Sequence, residues 1–245
     1  MHSLFIKDKR FYYNVAKIAI PVALQGLITT GVNIMDTVMV GAVGQTQLSA
    51  VSLANQFINI FHIFCMGIGM GASVLVARYF GMGDRSSLKK TITIMLRLVL
   101  GLSVLFSVAT ALIPRAIMLI YTPEEPIIAY GIDYLSWSVP TYVFLGLSVT
   151  CTIVLRNVKQ VHIPLITSIA AFFVNVGANY IFIFGKLGAP EMGVAGAALG
   201  TLVARVFEFA VICGYLFVID KKIGYRIREI QFSQEGQLWV SNHLI

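Results

Sequence analysis

The stretch GVNIMDTVMVG, Gly31 to Gly41, decides how this chain is read. It sets one carboxylate, Asp36, inside an apolar segment running from Ile18 to Val43. No other carboxylate, Lys or Arg lies between Lys17 and Arg78. A segment this long and apolar predicts a membrane-spanning helix, which needs about 20 apolar residues. A carboxylate at membrane depth costs a few kcal/mol or more, so Asp36 is a functional-site candidate from cost alone.

The rest of the chain agrees with a lipid setting. Of its 245 residues, 58% are hydrophobic and 12% charged, and the mean hydropathy is +0.83. Soluble domains carry roughly a quarter charged residues. The net charge of +7 does not indicate nucleic acid, because the basic residues are spread between apolar runs rather than gathered with aromatics. Cys65, Cys151 and Cys213 fall inside apolar runs without metal-ligand spacing and are read as small buried hydrophobes. Lys7, Lys9 and Arg10 resemble the basic start of a signal peptide, but the apolar run behind them is too long and contains Asp36.

Six runs are long enough to span: Ile18–Val43, Ser49–Tyr79, Leu88–Ile113, Ile127–Leu155, Ile163–Phe184 and Val194–Val218. They are too continuous for barrel strands and so predict helices. The fold class is therefore all-α, a polytopic integral membrane protein with six transmembrane helices. Fourteen of the eighteen Lys and Arg fall at the start of the chain, in the second-to-third and fourth-to-fifth connectors and after the sixth span. The intervening connectors hold only Arg115 and Lys186. This alternation predicts that both ends of the chain are cytoplasmic. Residues 1–17 are then a cytoplasmic amino-terminal segment, 18–218 a transmembrane lobe and 219–245 a cytoplasmic linker. Ile223, Tyr225, Ile227, Ile230 and Phe232 suggest that this linker lies along the membrane surface.

Pro21 and Pro140 each remove a backbone donor and predict bends in the first and fourth spans. Gly67 and Gly71, and likewise Gly196 and Gly200, are four apart and predict close helix approach. The GIGMG run around Gly69 follows no strand and is not a phosphate loop.

Among polar side chains at depth, Asp36 stands ~18 residues above the start of its span, or ~27 Å along the axis. Asn175 and Asn179 share one face of the fifth span at comparable height. One carboxylate and two amides suit a small cation such as Na⁺, or a proton. The alternative for the two Asn is hydrogen bonding to neighbouring helices. Arg205 and Glu208, three apart, read as an intramembrane ion pair, with proton transfer or gating as the alternative. Arg97 reads as snorkelling to the headgroups, and His62 as a core histidine with a hydrogen-bonded partner. No HExxH, GxSxG or Walker-type motif and no paired His/Cys ligands appear, so no enzyme is indicated and no cofactor expected.

These residues resemble the multidrug and toxic compound extrusion (MATE) transporters. The resemblance rests on GVNIMDTVMVG, LSAVSLANQF, VARYFGMGD, NVGANYIFIFG and EMGVAGAALGTLVARVFEF, and it spans essentially the whole chain. It implies the amino-terminal lobe of a twelve-helix transporter whose two six-helix lobes form a V-shaped cleft. It also implies an antiporter in a plasma membrane, a bacterial inner membrane by its short loops, exporting amphipathic or cationic small molecules against inward Na⁺ or H⁺. Asp36 matches the family's cation-coupling carboxylate, and Pro21 a proline that permits helix bending when that carboxylate is protonated. Asn175 matches the first polar residue of the fifth-span site. Asn179 stands where many members carry an Asp. Thr201 is the nearest candidate for a sixth-span Thr ligand, with Ala197 at the competing position. A lipid-linked oligosaccharide flippase and a truncated, non-transporting half-transporter are the alternatives. The second lobe is expected as a missing part of the chain or as a second copy.

Overall fold

The computed structural model describes residues 9–226. The regular structure of those residues is entirely helical. In chain order the helices are α1 (Lys9–Gly41), α2 (Gln45–Met82), α3 (Arg85–Leu112), α4 (Pro114–Leu119), α5 (Glu125–Ser138), α6 (Thr141–Asn157), α7 (His162–Phe184) and α8 (Gly193–Gly214), which ends in a π-helical turn, Tyr215–Ile219. Five of these segments are long and apolar enough to cross a membrane, and α5 with α6 passes the same test as one span bent by 58°. That bend falls at Pro140, as its missing N–H predicts. Ser107 of α3 donates to the carbonyl of Val139 at 3.1 Å, satisfying one acceptor beside the break. In α1, by contrast, the helix runs unbroken through Pro21.

The helices bury their apolar faces in three clusters stacked along the bundle. At the basic end lie Leu88, Ile92, Met95, Val154, Leu155 and Ile212. The middle holds Phe61, Cys65, Val99, Tyr142 and Leu145, with the Phe61 and Tyr142 rings edge to face at 5.1 Å. At the opposite end Val40, Val51, Ala54, Met118, Ile128 and Leu135 pack together. Outward-facing apolar side chains such as Leu27, Ile34, Val38 and Phe173 stay exposed, which suits a surface solvated by lipid. Hydroxyls on the exposed side of α1 donate to carbonyls one turn back: Thr29 to Gln25, Thr30 to Gly26 and Thr37 to Asn33.

The glycine expectation divides. A Cβ on Gly196 would run into the carbonyl of Phe182, and one on Gly200 would lie on the side chain of Asn179 and 2.9 Å from its backbone N. These two glycines therefore seat α8 directly on α7. Gly67 and Gly71 have no neighbour within 4 Å of a Cβ and support no close approach. In α2 the intervening Gly69 faces inward instead, where a Cβ would meet Ile153 of α6. Spacing alone shows two glycines sharing a face but not which face is packed.

The surface-lying linker is also corrected for its described part. Ile223 and Tyr225 are fully buried in the cluster at the basic end, and Tyr225 Oη pairs with Thr93 Oγ1 at 2.7 Å. Asp220, itself buried, accepts from Gln160 Nε2 at 2.6 Å and from the Ile223 N–H at 2.8 Å, turning the chain back under the bundle. Ile227, Ile230 and Phe232 lie outside the described residues.

Candidate functional site

The site is assembled by α1, α7 and α8. Helix α1 leans along α7, and α7 packs most closely on α8 through Gly196 and Gly200. Those glycines allow α8 to approach so closely that Asn179 is wedged between α8 and α1 with no exposed surface. There its Nδ2 donates to Asp36 Oδ1 at 2.5 Å, and the same nitrogen lies 3.4 Å from Asn175 Oδ1. The three residues that the sequence offered as one site are thus brought together. Asn175 is 2% exposed, and Asn179 Oδ1 is buried with no hydrogen-bond partner among the described residues. That oxygen faces Gly200 of α8, while the amide nitrogen is the atom turned to Asp36. Asp36 Oδ1 and Asn175 Oδ1, both turned to Asn179 Nδ2, are oxygens of the type Na⁺ accepts.

Thr201 is not bonded to Asp36 among the described residues. It neighbours Tyr134, the buried α5 residue whose hydroxyl donates to Asn55 Oδ1 at 3.1 Å and lies within electrostatic reach of Asp36. Ala197 packs into the apolar cluster. Thr201, Arg205 and Glu208 follow one another along a single face of α8, at i, i+4 and i+7. Arg205 Nη1 binds Glu208 Oε2 at 2.7 Å, the ion pair expected from their spacing. The Arg205 charge also acts on Asp36 of α1 and His62 of α2. His62 is half-buried, and its charged neighbours are Arg205 and Glu208. Pro21 is buried in α1, fifteen residues before Asp36, or about 22 Å along the helix.

Two contributors escaped the sequence reading. Gln25, buried in α1, donates to Ser168 Oγ of α7 at 2.9 Å and accepts from Arg156 of α6, joining three helices below the site. Arg156 is accordingly the last turn of a helix with an internal partner, not simply a connector charge. Gln25 carried the same signal as Asp36, a polar group within an apolar run. Tyr134 carried none, since a tyrosine in a span is most often packing.

The chain is similar in sequence and fold to known proteins. The family model MatE matches residues 21–181, which takes in Pro21, Asp36, Asn175 and Asn179. Among curated proteins, the chain is 27% identical over 226 residues to the probable multidrug resistance protein NorM of Neisseria meningitidis serogroup A, covering 88% of this chain and 46% of that protein. It is 29% identical over 192 residues to the multidrug resistance protein MdtK of Edwardsiella ictaluri, covering 75% of this chain and 40% of that one. The chain thus spans about half the length of the curated relatives it matches. The fold is shared with a solved outward-facing multidrug resistance MATE family transporter of the MOP superfamily, at a TM-score of 0.78 and 23% identity over 91% of this chain and 49% of that one. An inward-facing structure of such a transporter gives a TM-score of 0.76 at 21% identity, covering 92% of this chain and 51% of that one. The family match covers more than half of the 245 residues, and the all-helical lobe agrees with it: the chain belongs to the MatE family.

Proposed function

We propose that this chain is the cation-coupling lobe of a multidrug efflux antiporter, in which Asp36 binds Na⁺ or H⁺ and thereby drives export of amphipathic or cationic compounds. The observation that carries the reading is the Asp36–Asn179–Asn175 cluster, a carboxylate held at 2.5 Å by an amide in the wall of an apolar bundle. The positive-inside alternation places the basic end in the cytoplasm, and Asp36 then stands in the outer half of the membrane. The cation enters from outside, neutralises Asp36 and changes how α1 sits on α7. Loss of the cation inward resets the lobe. Such coupling requires the cation to bind the two conformations with different affinity. Buried Pro21, with no N–H to give, is the point at which α1 yields. Asn175 supplies an amide oxygen and Asn179 the N–H that holds Asp36; Thr201, through Tyr134, borders the site rather than capping it. A second six-helix lobe completes the cleft for the exported compound, and its setting is a bacterial inner membrane. The protein is a transporter and catalyses no covalent chemistry.

The test is accumulation of a fluorescent cationic dye in cells expressing the protein with its second lobe. Asp36→Asn is expected to abolish cation-driven efflux while membrane insertion is unchanged. Efflux retained in that variant sinks the assignment.

A further inference from the structure

We propose that the cavity at the basic end between Arg85 and Lys222 is a binding site for the phosphate of an anionic phospholipid headgroup. The cavity, about 150 Å³, is lined by Tyr79, Phe80, Gly83, Arg85, Leu88 and Lys222. Its two cations are far apart in sequence, one opening α3 and one in the segment after α8. Their convergence is built rather than incidental. Asp220 accepts from the Lys222 N–H at 3.3 Å and from the Ile223 N–H at 2.8 Å, and Tyr225 is tied to Thr93 of α3 at 2.7 Å. Buried Ile223 and Tyr225 thus hold the backbone of Lys222 against the α2–α3 hairpin.

Among the described residues, no carboxylate lines the cavity. The nearest in sequence are both engaged elsewhere. Asp84 Oδ1 caps α3 through the Ser87 N–H at 3.1 Å, and Asp220 serves Gln160 and the two N–H groups. Two basic residues on one small cavity, with no carboxylate among its described lining residues, form a site for an anion with several acceptor oxygens. The location selects a lipid as the source. On the membrane reading, the cavity opens at the basic end where α2 and α3 leave the membrane, with Tyr79 and Phe80 at headgroup level. Occupancy would tie the α2–α3 hairpin to the segment that follows α8. The site depends on the membrane reading, not on efflux.

The probe is phosphatidylglycerol, titrated onto the purified full chain in phosphatidylcholine nanodiscs and read as retained lipid by native mass spectrometry. Arg85→Gln and Lys222→Gln are each expected to weaken retention about fivefold, and the double variant about twenty-fivefold. Lys17→Gln, an exposed basic residue of α1 away from the cavity, is expected to leave it unchanged. Unaltered retention in the double variant overturns the site, as does an equal loss with Lys17→Gln, which would mean a diffuse basic surface. Inorganic phosphate is the second arm. If it displaces phosphatidylglycerol at comparable concentration, the cavity is a free-anion site and the lipid assignment fails.

Discussion

Asn179 Nδ2 stands 2.5 Å from Asp36 Oδ1, so the amide of α7 acts as the standing partner of the carboxylate of α1. An amide donor satisfies one carboxylate oxygen without bringing a second charge. A second carboxylate at that place would face Asp36 at contact distance, and both would ionise only around a cation. Affinity at all-oxygen sites rises with the number of charged ligands. Asn179→Asp is therefore expected to lower the Na⁺ concentration for half-maximal efflux by roughly tenfold. The measurement is dye efflux against external Na⁺ at fixed pH; an unchanged half-saturation would show that Asn179 is not at the ion.

Gly200 governs whether that amide can be where it is. A Cβ there lies on the Asn179 side chain and 2.9 Å from its backbone N, so α8 must move off α7. Gly200→Ala is expected to cost about 1–3 kcal/mol of stability, as overpacking does, and to impair cation coupling with it. Gly67→Ala, where nothing lies within 4 Å, is the matched control and should hold or slightly raise thermal stability in detergent. Equal stability of the two variants would mean that the α7–α8 contact does not position the site.

Much of this site could be read before any coordinates. The price of Asp36 in an apolar run and the four-residue spacing of Asn175 and Asn179 each follow from one helix at a time. The bend at Pro140 does too, since a missing N–H is a local fact. What could not be read depends on which face meets which neighbour. Gly67–Gly71 and Gly196–Gly200 have the same spacing, yet only the second pair is packed. Tyr225 looked like an interfacial aromatic because its buried partner, Thr93, lies far away in sequence. Tyr134 becomes part of the site only through Asn55 and Thr201.

Asp84 gives a pH dependence outside the spans. Its bond to the Ser87 side chain and N–H at the start of α3 holds its carboxyl below the ordinary carboxylate value. A lowered folded value means that the capping contribution is fully present above the usual carboxylate range and is lost as pH falls through the folded value. Hydrogen exchange at the first amides of α3 should therefore open on acidification, once the intrinsic pH effect on exchange is removed, and Asp84→Ala should show the open level throughout. Identical profiles for wild type and variant would exclude the cap as the titrating element.

Arg205 and Glu208 pair at 2.7 Å with 28% and 13% of their side chains exposed. Removing one partner leaves the other charge uncompensated at depth, whereas replacing both with apolar groups of similar volume removes the desolvation cost together with the pair. Glu208→Gln is thus expected to destabilise the lobe by about 3–5 kcal/mol or to be lost from the membrane, and Arg205→Met with Glu208→Leu to be near neutral. Efflux separates structure from function here. Because Arg205 also reaches Asp36, the stable double variant should keep its fold but shift the cation dependence of efflux. A double variant that matches wild type in both stability and cation dependence would reduce the pair to a structural ion pair within α8.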